Sequence, residues 1–313
     1  MRKLLDVVIP ITETDLKSTL SILPCWEKYL PMKRLIFIGD NKLKKALLEY
    51  PCDKVRFISE DSVIVKQKVR NIIEDITNGD KAALGRTGWY FQQFLKMGYA
   101  RHCEDSYYLI WDADTAPLKI VDMFEGKHPF FDIKTEEHLP FFHTIENIFD
   151  GMHKVIEGSF ISEHMVINCN CMNSLIQEIE DNSHLQGSSW YEKILRAVEK
   201  EELSQSGFSE FETYGTYCTV RYPEQYKFRN WTSCREGNLY FEAGNLTQKE
   251  QKWLAKEFDA VSFEKWQKKD SCALFFRNPF LQNMISYSQM KKFFDKVFTW
   301  KVAYSEKYGK NRK

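Results

Sequence analysis

Two aspartates separated by one residue, Asp112 and Asp114, directly follow an apolar segment at 106–111 (SYYLIW). Side chains at positions i and i+2 of an extended backbone point to the same side, so the two carboxylates can converge. Paired carboxylates are typical oxygen ligands of Mg²⁺ or Mn²⁺, which keep open positions for substrate phosphates. A capped turn at the end of a strand would give the same pattern, and this interpretation stays open here.

Two reaction classes use such a pair of aspartates after a strand. Phosphatases of the haloacid-dehalogenase type need Thr or Val at the place that Ala116 occupies, and their motif tends to open the chain. The pattern therefore favours the second class, nucleotide-sugar chemistry, in which a metal ion neutralises the charge of a diphosphate.

The elements that must position these aspartates alternate between strands and helices. Apolar runs at 4–9, 34–38 and 54–58 predict strands, and helical segments around 15–22 and 41–49 lie between them. This alternation is typical of a parallel, doubly wound sheet, which binds ligands at the carboxyl ends of its strands. Further predicted elements are strands at 129–133 and 159–167, and helices at 86–100, 170–180, 189–202 and 209–219, the last interrupted by Gly215.

Composition is that of an ordinary globular protein, with 43% hydrophobic and 28% charged residues among 313. The 44 Lys and Arg residues balance the 44 Asp and Glu residues, which argues against a nucleic-acid-binding protein. This balance hides an asymmetry, because residues 249–313 contain 15 basic and 7 acidic residues together with 14 aromatic residues. An acidic body is therefore followed by a basic, aromatic segment.

The N-terminal segment lacks the apolar stretch of a signal peptide, because Asp6 interrupts it. We therefore expect a cytoplasmic protein whose eight cysteines are reduced thiols. The most closely spaced pair, Cys169 and Cys171, cannot supply the four ligands of a structural zinc site.

Four segments together resemble the GT-A-fold glycosyltransferases and, more narrowly, a bacterial family of glycosyltransferases known largely from polysaccharide gene clusters. They are GWYFQQFLKM (88–97), YLIWDADT (108–115), SFISEHMVIN (159–168) and FSEFETYG (208–215). One departure is Trp111, where that family more usually has a small or aliphatic residue.

The resemblance implies a GT-A-like, Rossmann-like α/β fold whose central sheet is mixed, mostly parallel and flanked by helices. The implied domains are a catalytic domain at 1–245 and a basic, aromatic-rich helical C-terminal region at 246–313 packed on it.

The resemblance also implies roles for residues around the two aspartates. Asp112 and Asp114 would bind a divalent cation, Mn²⁺ or Mg²⁺, and with it the nucleotide-diphosphate sugar that serves as donor. The metal ion would neutralise the nucleoside diphosphate as it leaves. Further contacts to the donor are expected from Pro10, Thr12, Arg86, Gln92, Gln93 and Lys96.

An inverting transferase also needs a carboxylate base that deprotonates the acceptor hydroxyl, and we expect Glu210 or Glu212 in this role. Both lie in a stretch rich in Phe and Tyr, and burial disfavours the charged form of a carboxylate. Two residues apart on a helix they must diverge, so only one can face the site, and Glu210 is preferred. Either could instead be a carboxylate that stabilises a helix N-terminus. His164 is expected to be a further metal ligand, an acceptor contact or a structural histidine.

The sequence thus predicts a metal-dependent glycosyltransferase that acts on a glycan or a lipid-linked glycan in bacterial surface polysaccharide synthesis. Two alternatives stay open, namely a nucleotide-sugar pyrophosphatase or nucleotidyltransferase, and a non-catalytic module that binds sugar nucleotides. Residues 289–304 have helical spacing with an aromatic and a lysine-rich face, which suits either an anionic membrane surface or packing on the main domain. Peripheral contact with the inner face of the membrane is therefore one expectation.

Overall fold

A computed structural model of the protein describes residues 2–135 and 138–308. The strands are β1 (Leu5–Pro10), β2 (Met32–Gly39), β3 (Val55–Ser59), β4 (Tyr107–Trp111), β5 (Thr115–Pro117), β6 (Phe124–Glu125), β7 (His128–Ile133), β8 (His164–Asn168), β9 (Lys227–Asn230), β10 (Ser233–Cys234) and β11 (Ala260–Ser262). The helices are α1 (Leu16–Tyr29), α2 (Lys44–Leu48), α3 (Glu60–Val63), α4 (Lys66–Thr77), α5 (Lys81–Gly85), α6 (Thr87–Gly98), α7 (Leu139–Ile148), α8 (Cys169–Asp181), α9 (Trp190–Ala197), α10 (Glu210–Arg221), α11 (Gly237–Tyr240), α12 (Gln248–Leu254), α13 (Ala273–Phe276), α14 (Pro279–Met284) and α15 (Tyr287–Tyr308).

The chain folds into two compact units. Unit one comprises the described residues of Met1–Leu16, Pro31–Ala113 and Asp122–Trp231. Unit two comprises those of Lys17–Leu30, Asp114–Val121 and Thr232–Lys313. These units are defined by packing, whereas the predicted catalytic domain at 1–245 is defined by function. That domain therefore stays a prediction.

Unit one is built on a five-stranded sheet with the strand order β3-β2-β1-β4-β8. Its strands are parallel except for β8, which runs antiparallel to β4. β1, β2 and β4 are almost entirely buried, as expected for a sheet covered by helices. One hydrophobic core joins this sheet to the helices and includes Tyr90, Phe94, Leu175, Ile194 and Tyr214. The predicted mixed, mostly parallel sheet flanked by helices is confirmed.

A smaller sheet in each unit supplements this framework. In unit one, β7 pairs antiparallel with β6 and parallel with β9. In unit two, β11 pairs parallel with β10 and antiparallel with β5. The other regular elements described in unit two are helices, and the last of them, α15, confirms the helix predicted at 289–304. Across the described residues, no helix combines the length and the apolar character needed to cross a membrane.

The strand predicted at 159–167 is wrong in its first half. β8 begins only at His164, because Glu163 has a φ of 62° and cannot continue an extended strand. Ser159 forms only an isolated bridge with Lys134. The segment between them is therefore a loop that leads into the antiparallel edge of the sheet.

The predicted interruption of the 209–219 helix at Gly215 is also wrong. α10 runs unbroken from Glu210 to Arg221, and the Ser209 side chain caps it by accepting a hydrogen bond from the amide of Glu212. A Cβ atom on Gly215 would lie 2.4 Å from the ring of the fully buried Phe160. The glycine therefore serves close packing against an aromatic ring and does not end the helix.

We predict opposite effects of Gly→Ala at two helical positions. In α6, Gly88→Ala meets no atom within 4 Å, so it should stabilise the protein by about 0.5–1 kcal/mol through helix propensity. Gly215→Ala gains the same propensity but overpacks against Phe160, with an expected net destabilisation of about 1–3 kcal/mol. Urea unfolding measures both changes, and equal free energies for the two variants would contradict the packing argument.

Candidate active site

Asp112 is the first residue after β4, at the carboxyl end of an interior strand. The four preceding residues, 108–111, are fully buried, whereas the side chain of Asp112 is 33% exposed. Its backbone amide donates a hydrogen bond of 2.9 Å to the carbonyl of Glu163. The hydrophobic strand thus carries a solvent-accessible carboxylate to the edge where open α/β sheets bind ligands.

Asp114 follows in unit two and is also partly exposed. Its carbonyl accepts a hydrogen bond of 2.9 Å from the amide of Phe263. Its carboxylate accepts one of 3.2 Å from the hydroxyl of Thr115, which is itself fully buried. Backbone contacts within unit two therefore hold this aspartate.

Lys96 of α6 is the cation beside Asp112. Its Nζ lies 2.7 Å from Oδ1 of Asp112 and 2.8 Å from Oε1 of Glu210. Burial opposes the charge on Lys96, but the two carboxylates outweigh it, so the pKa of the ammonium group is raised. The hydroxyl of Tyr108 donates to the carbonyl of Lys96 at 2.8 Å and thereby ties α6 to β4. Lys96, Asp112 and Glu210 form what we call the buried ion triad.

Glu210 is the first residue of α10 and is 5% exposed. Its amide donates a hydrogen bond of 3.0 Å to Oε1 of Gln93. Gln93 and Lys96 are three residues apart on α6 and therefore share one face of that helix. This face holds both the backbone and the carboxylate of Glu210.

Glu212 has a different environment from Glu210. Its Oε1 accepts hydrogen bonds from the hydroxyl of Ser159 at 2.6 Å and the amide of Phe160 at 3.0 Å. Its Oε2 lies 3.1 Å from Nζ of Lys154. With both oxygens bonded, this carboxylate anchors the segment at 154–160 to α10.

His164 lies in the protein interior, with 2% of its surface exposed. Its Nε2 lies 2.8 Å from Oδ2 of Asp132, and its Nδ1 lies 2.7 Å from the carbonyl of Ser162. The imidazole also stacks on Trp111, with 4.8 Å between ring centroids. Metal binding by His164 would require breaking one of these hydrogen bonds.

Asp132 also forms an ion pair with Arg229. The guanidinium of Arg229 contacts both carboxylate oxygens, at 2.6 and 2.7 Å. Burial alone would raise the pKa of Asp132, but Arg229 and His164 outweigh burial and lower it. Asp132 was not foreseen from the sequence, although a carboxylate inside the apolar stretch HPFFDI is a signal that could have identified it.

Pro10 and Thr12, predicted to contact the donor, lie at and just after the carboxyl end of β1. The hydroxyl of Thr12 donates to the Asp15 carboxylate, and so does its amide, at 3.1 Å. Within the described chain, no hydrogen bond joins either residue to the buried ion triad. Their role in binding a donor stays a prediction.

Arg86 and Gln92 complete the predicted donor contacts. The guanidinium of Arg86 donates to the carbonyl of Gln205 at 2.6 Å and to Oγ of Ser206 at 3.0 Å. Gln92 is exposed on α6, next to the buried Gln93. The structure therefore brings Lys96 to Asp112 and Gln93 to the backbone of Glu210, whereas Arg86 binds the loop after residue 204.

Whether these residues suit a divalent cation depends on the ligand set. No three His, Cys, Asp or Glu side chains of the described residues are grouped as a metal site. Mg²⁺ and similar ions, however, are often bound by one or two carboxylates together with substrate phosphates. Lys96 occupies Oδ1 of Asp112, and its Oδ2 accepts no hydrogen bond from the residues that the structure describes. This second oxygen of the part-exposed carboxylate fits such a cation.

A model described as a family of unknown function (DUF6492) matches residues 36–285. No curated protein matches the chain.

Three solved structures are similar to this chain at low sequence identity. Mouse xyloside xylosyltransferase 1 is 13% identical with a TM-score of 0.46, covering 83% of this chain and 98% of its own. Galactosyltransferase LgtC, in complex with donor and acceptor sugar analogues, is 11% identical with a TM-score of 0.42, covering 90% and 96%. The bifunctional glycosyltransferase WbbM is 11% identical with a TM-score of 0.40, covering 93% and 51%.

We predict that Lys96→Met destabilises the protein strongly, because it leaves the carboxylates of Asp112 and Glu210 without their shared cation. Breaking a buried ion pair on one side costs about 3–5 kcal/mol. The double variant Lys96→Met/Glu210→Gln should regain part of this loss, since one buried charge is removed. Urea unfolding measures the change.

The matched control is Lys42→Met, because the side chain of Lys42 is 80% exposed. Its substitution should change the free energy of unfolding by less than about 0.5 kcal/mol. Similar stabilities of Lys96→Met and Lys42→Met would contradict the importance of the buried ion triad.

Proposed function

The chain belongs to DUF6492, a family of unknown function, and we propose that it is a metal-dependent glycosyltransferase that uses a nucleotide-diphosphate sugar. The observation that carries this proposal is the carboxylate of Asp112. It is part-exposed at the carboxyl end of an interior strand, and a buried lysine holds one of its oxygens. Ligands of open α/β sheets bind at this edge.

Asp112 and Asp114 would hold a divalent cation, Mn²⁺ or Mg²⁺. When bound, the cation supplies positive charge that neutralises the diphosphate of the leaving nucleotide. Lys96 orients the carboxylate of Asp112 through Oδ1 and leaves Oδ2 for the cation. One ammonium group beside two carboxylates leaves the buried ion triad with excess negative charge, which favours a cation at this place.

Glu210 is the proposed base for the acceptor hydroxyl in an inverting reaction. Its Oε1 lies 2.8 Å from Nζ of Lys96, the same nitrogen that binds Asp112. This shared contact keeps the proposed base close to the proposed metal ligand. Glu212 is the less suitable base, because three donors bind its two oxygens.

The proposed acceptor is a glycan or lipid-linked glycan of bacterial surface polysaccharide synthesis, which the resemblance in the four sequence segments supports. A lipid-linked acceptor would favour contact with the inner face of the membrane. Unit two supports such membrane contact, because several of its apolar side chains are about half exposed or more. They are Leu274, Phe275, Phe280, Met284 and Phe293. Lys292 and Lys296 are exposed on the same helix as Phe293. Aromatic and basic side chains together suit an anionic lipid surface.

The transferase proposal predicts slow, Mn²⁺-dependent hydrolysis of one nucleotide sugar from a panel, in the absence of an acceptor. The product should be free nucleoside diphosphate, measured by chromatography. Asp112→Ala/Asp114→Ala should abolish its release, because both carboxylates of the proposed cation site are removed. Losing a group that stabilises transition-state charge typically costs about 100-fold or more in rate.

Asp75→Ala is the control for this double variant, because Asp75 is 66% exposed on α4 and binds only Arg196 in the contacts of the described chain. It should keep the wild-type rate. Release of nucleoside monophosphate would instead identify a pyrophosphatase, and Mn²⁺-dependent binding without turnover would identify a binding module. Either result rejects the proposed transfer.

The proposed membrane contact predicts that the protein sediments with phosphatidylserine-containing vesicles at low salt and is released at high salt, because surface charge is screened. Phe280→Ser/Met284→Ser should weaken sedimentation several-fold, since both side chains are exposed in unit two. Leu139→Ser, which removes an exposed apolar side chain of unit one, should not. Equal sedimentation of both variants would reject contact through α14.

A further inference from the structure

Glu163 has a backbone conformation that side-chain-bearing residues rarely adopt. Its φ is 62°, in the left-handed region, and the residue is only 6% exposed. Glycine occupies this region without strain, whereas other residues persist there only when surrounding contacts hold them. The contacts of Glu163 must therefore compensate for the strain.

The backbone of Glu163 is hydrogen-bonded to the backbone of Asp112, the proposed metal ligand. Its carbonyl accepts the 2.9 Å hydrogen bond from the amide of Asp112. This bond lies one residue beyond the last pair of the β4–β8 ladder, in which Trp111 faces His164. The left-handed turn at Glu163 thus directs a carbonyl at the residue with which the chain leaves β4.

The side chain of Glu163 supplies the contacts that hold this turn. One carboxylate oxygen forms an ion pair with Lys134, and the other accepts a hydrogen bond of 3.3 Å from the indole of Trp231. The side chain is 7% exposed and that of Lys134 is 10% exposed, so water screens the ion pair little. Glycine would relieve the backbone strain but would remove both contacts.

We propose that Glu163 is a positioning residue for Asp112. The carboxylate, held by Lys134 and Trp231, keeps the left-handed turn in place, and the turn fixes the backbone of Asp112 through its amide. The positioning of Asp112 depends on its hydrogen bond to Glu163 and needs no bound cation. The consequence for cation binding rests on the proposed function.

The experiment measures amide hydrogen exchange at Asp112 together with Mn²⁺ binding by calorimetry. In Glu163→Gly and in Glu163→Gln, the Asp112 amide should exchange about 5-fold faster or more, which corresponds to the net contribution of one hydrogen bond. Glu163→Gln keeps the side-chain length and the Cβ atom, so it separates loss of charge from added backbone freedom. Mn²⁺ affinity should fall by a similar factor in both variants.

Asn78→Gly is the matched control, because Asn78 has a φ of 53° at the end of α4. It relieves the same kind of strain away from β4, so exchange at Asp112 and Mn²⁺ affinity should stay at wild-type values. Wild-type exchange at Asp112 in both Glu163 variants would overturn the inference. The wild-type protein could also bind no Mn²⁺, with or without a nucleoside diphosphate, while the Glu163 variants still exchange faster at Asp112. That result would support the positioning role of Glu163 and reject the proposed function.

Discussion

A buried ammonium group shared by two carboxylates is the interaction on which the proposed site depends. The side chains of Lys96 and Glu210 are each 6% exposed, and Asp112 adds a second carboxylate from a part-exposed position. Buried charges are tolerated only when they are paired and hydrogen-bonded. This requirement brings α6, the end of β4 and the start of α10 together. The hydrogen bonds of Tyr108 to Lys96 and of Glu210 to Gln93 support the same three elements.

The backbone of Asp112 is held by the turn that leads into β8, where charge and aromatic packing act together. His164 is held between the carboxylate of Asp132 and the ring of Trp111. Trp111, the residue at which this chain departs from the family that it resembles, therefore has a structural role in this protein. A large ring before the aspartate covers a buried histidine, which a small aliphatic residue could not do.

Local patterns in the sequence were sufficient to predict the central strands and the position of Asp112 at a strand end, because both depend on neighbouring residues. Contacts distant in sequence could not be predicted in this way. Lys96 and Glu210 are 114 positions apart, and no local pattern pairs them. The left-handed turn at Glu163 was missed because its residue type favours other conformations. The role of Gly215 was misread for a related reason, since the ring of Phe160 that requires it belongs to a different segment.

Anomalous diffraction from crystals grown with Mn²⁺ and a nucleoside diphosphate tests the central claim most directly, because it locates the cation independently of turnover. We expect a manganese peak within coordination distance of the Asp112 carboxylate, with Lys96 still bound to its other oxygen. Manganese bound elsewhere, with Asp112 contacting only Lys96, would contradict it.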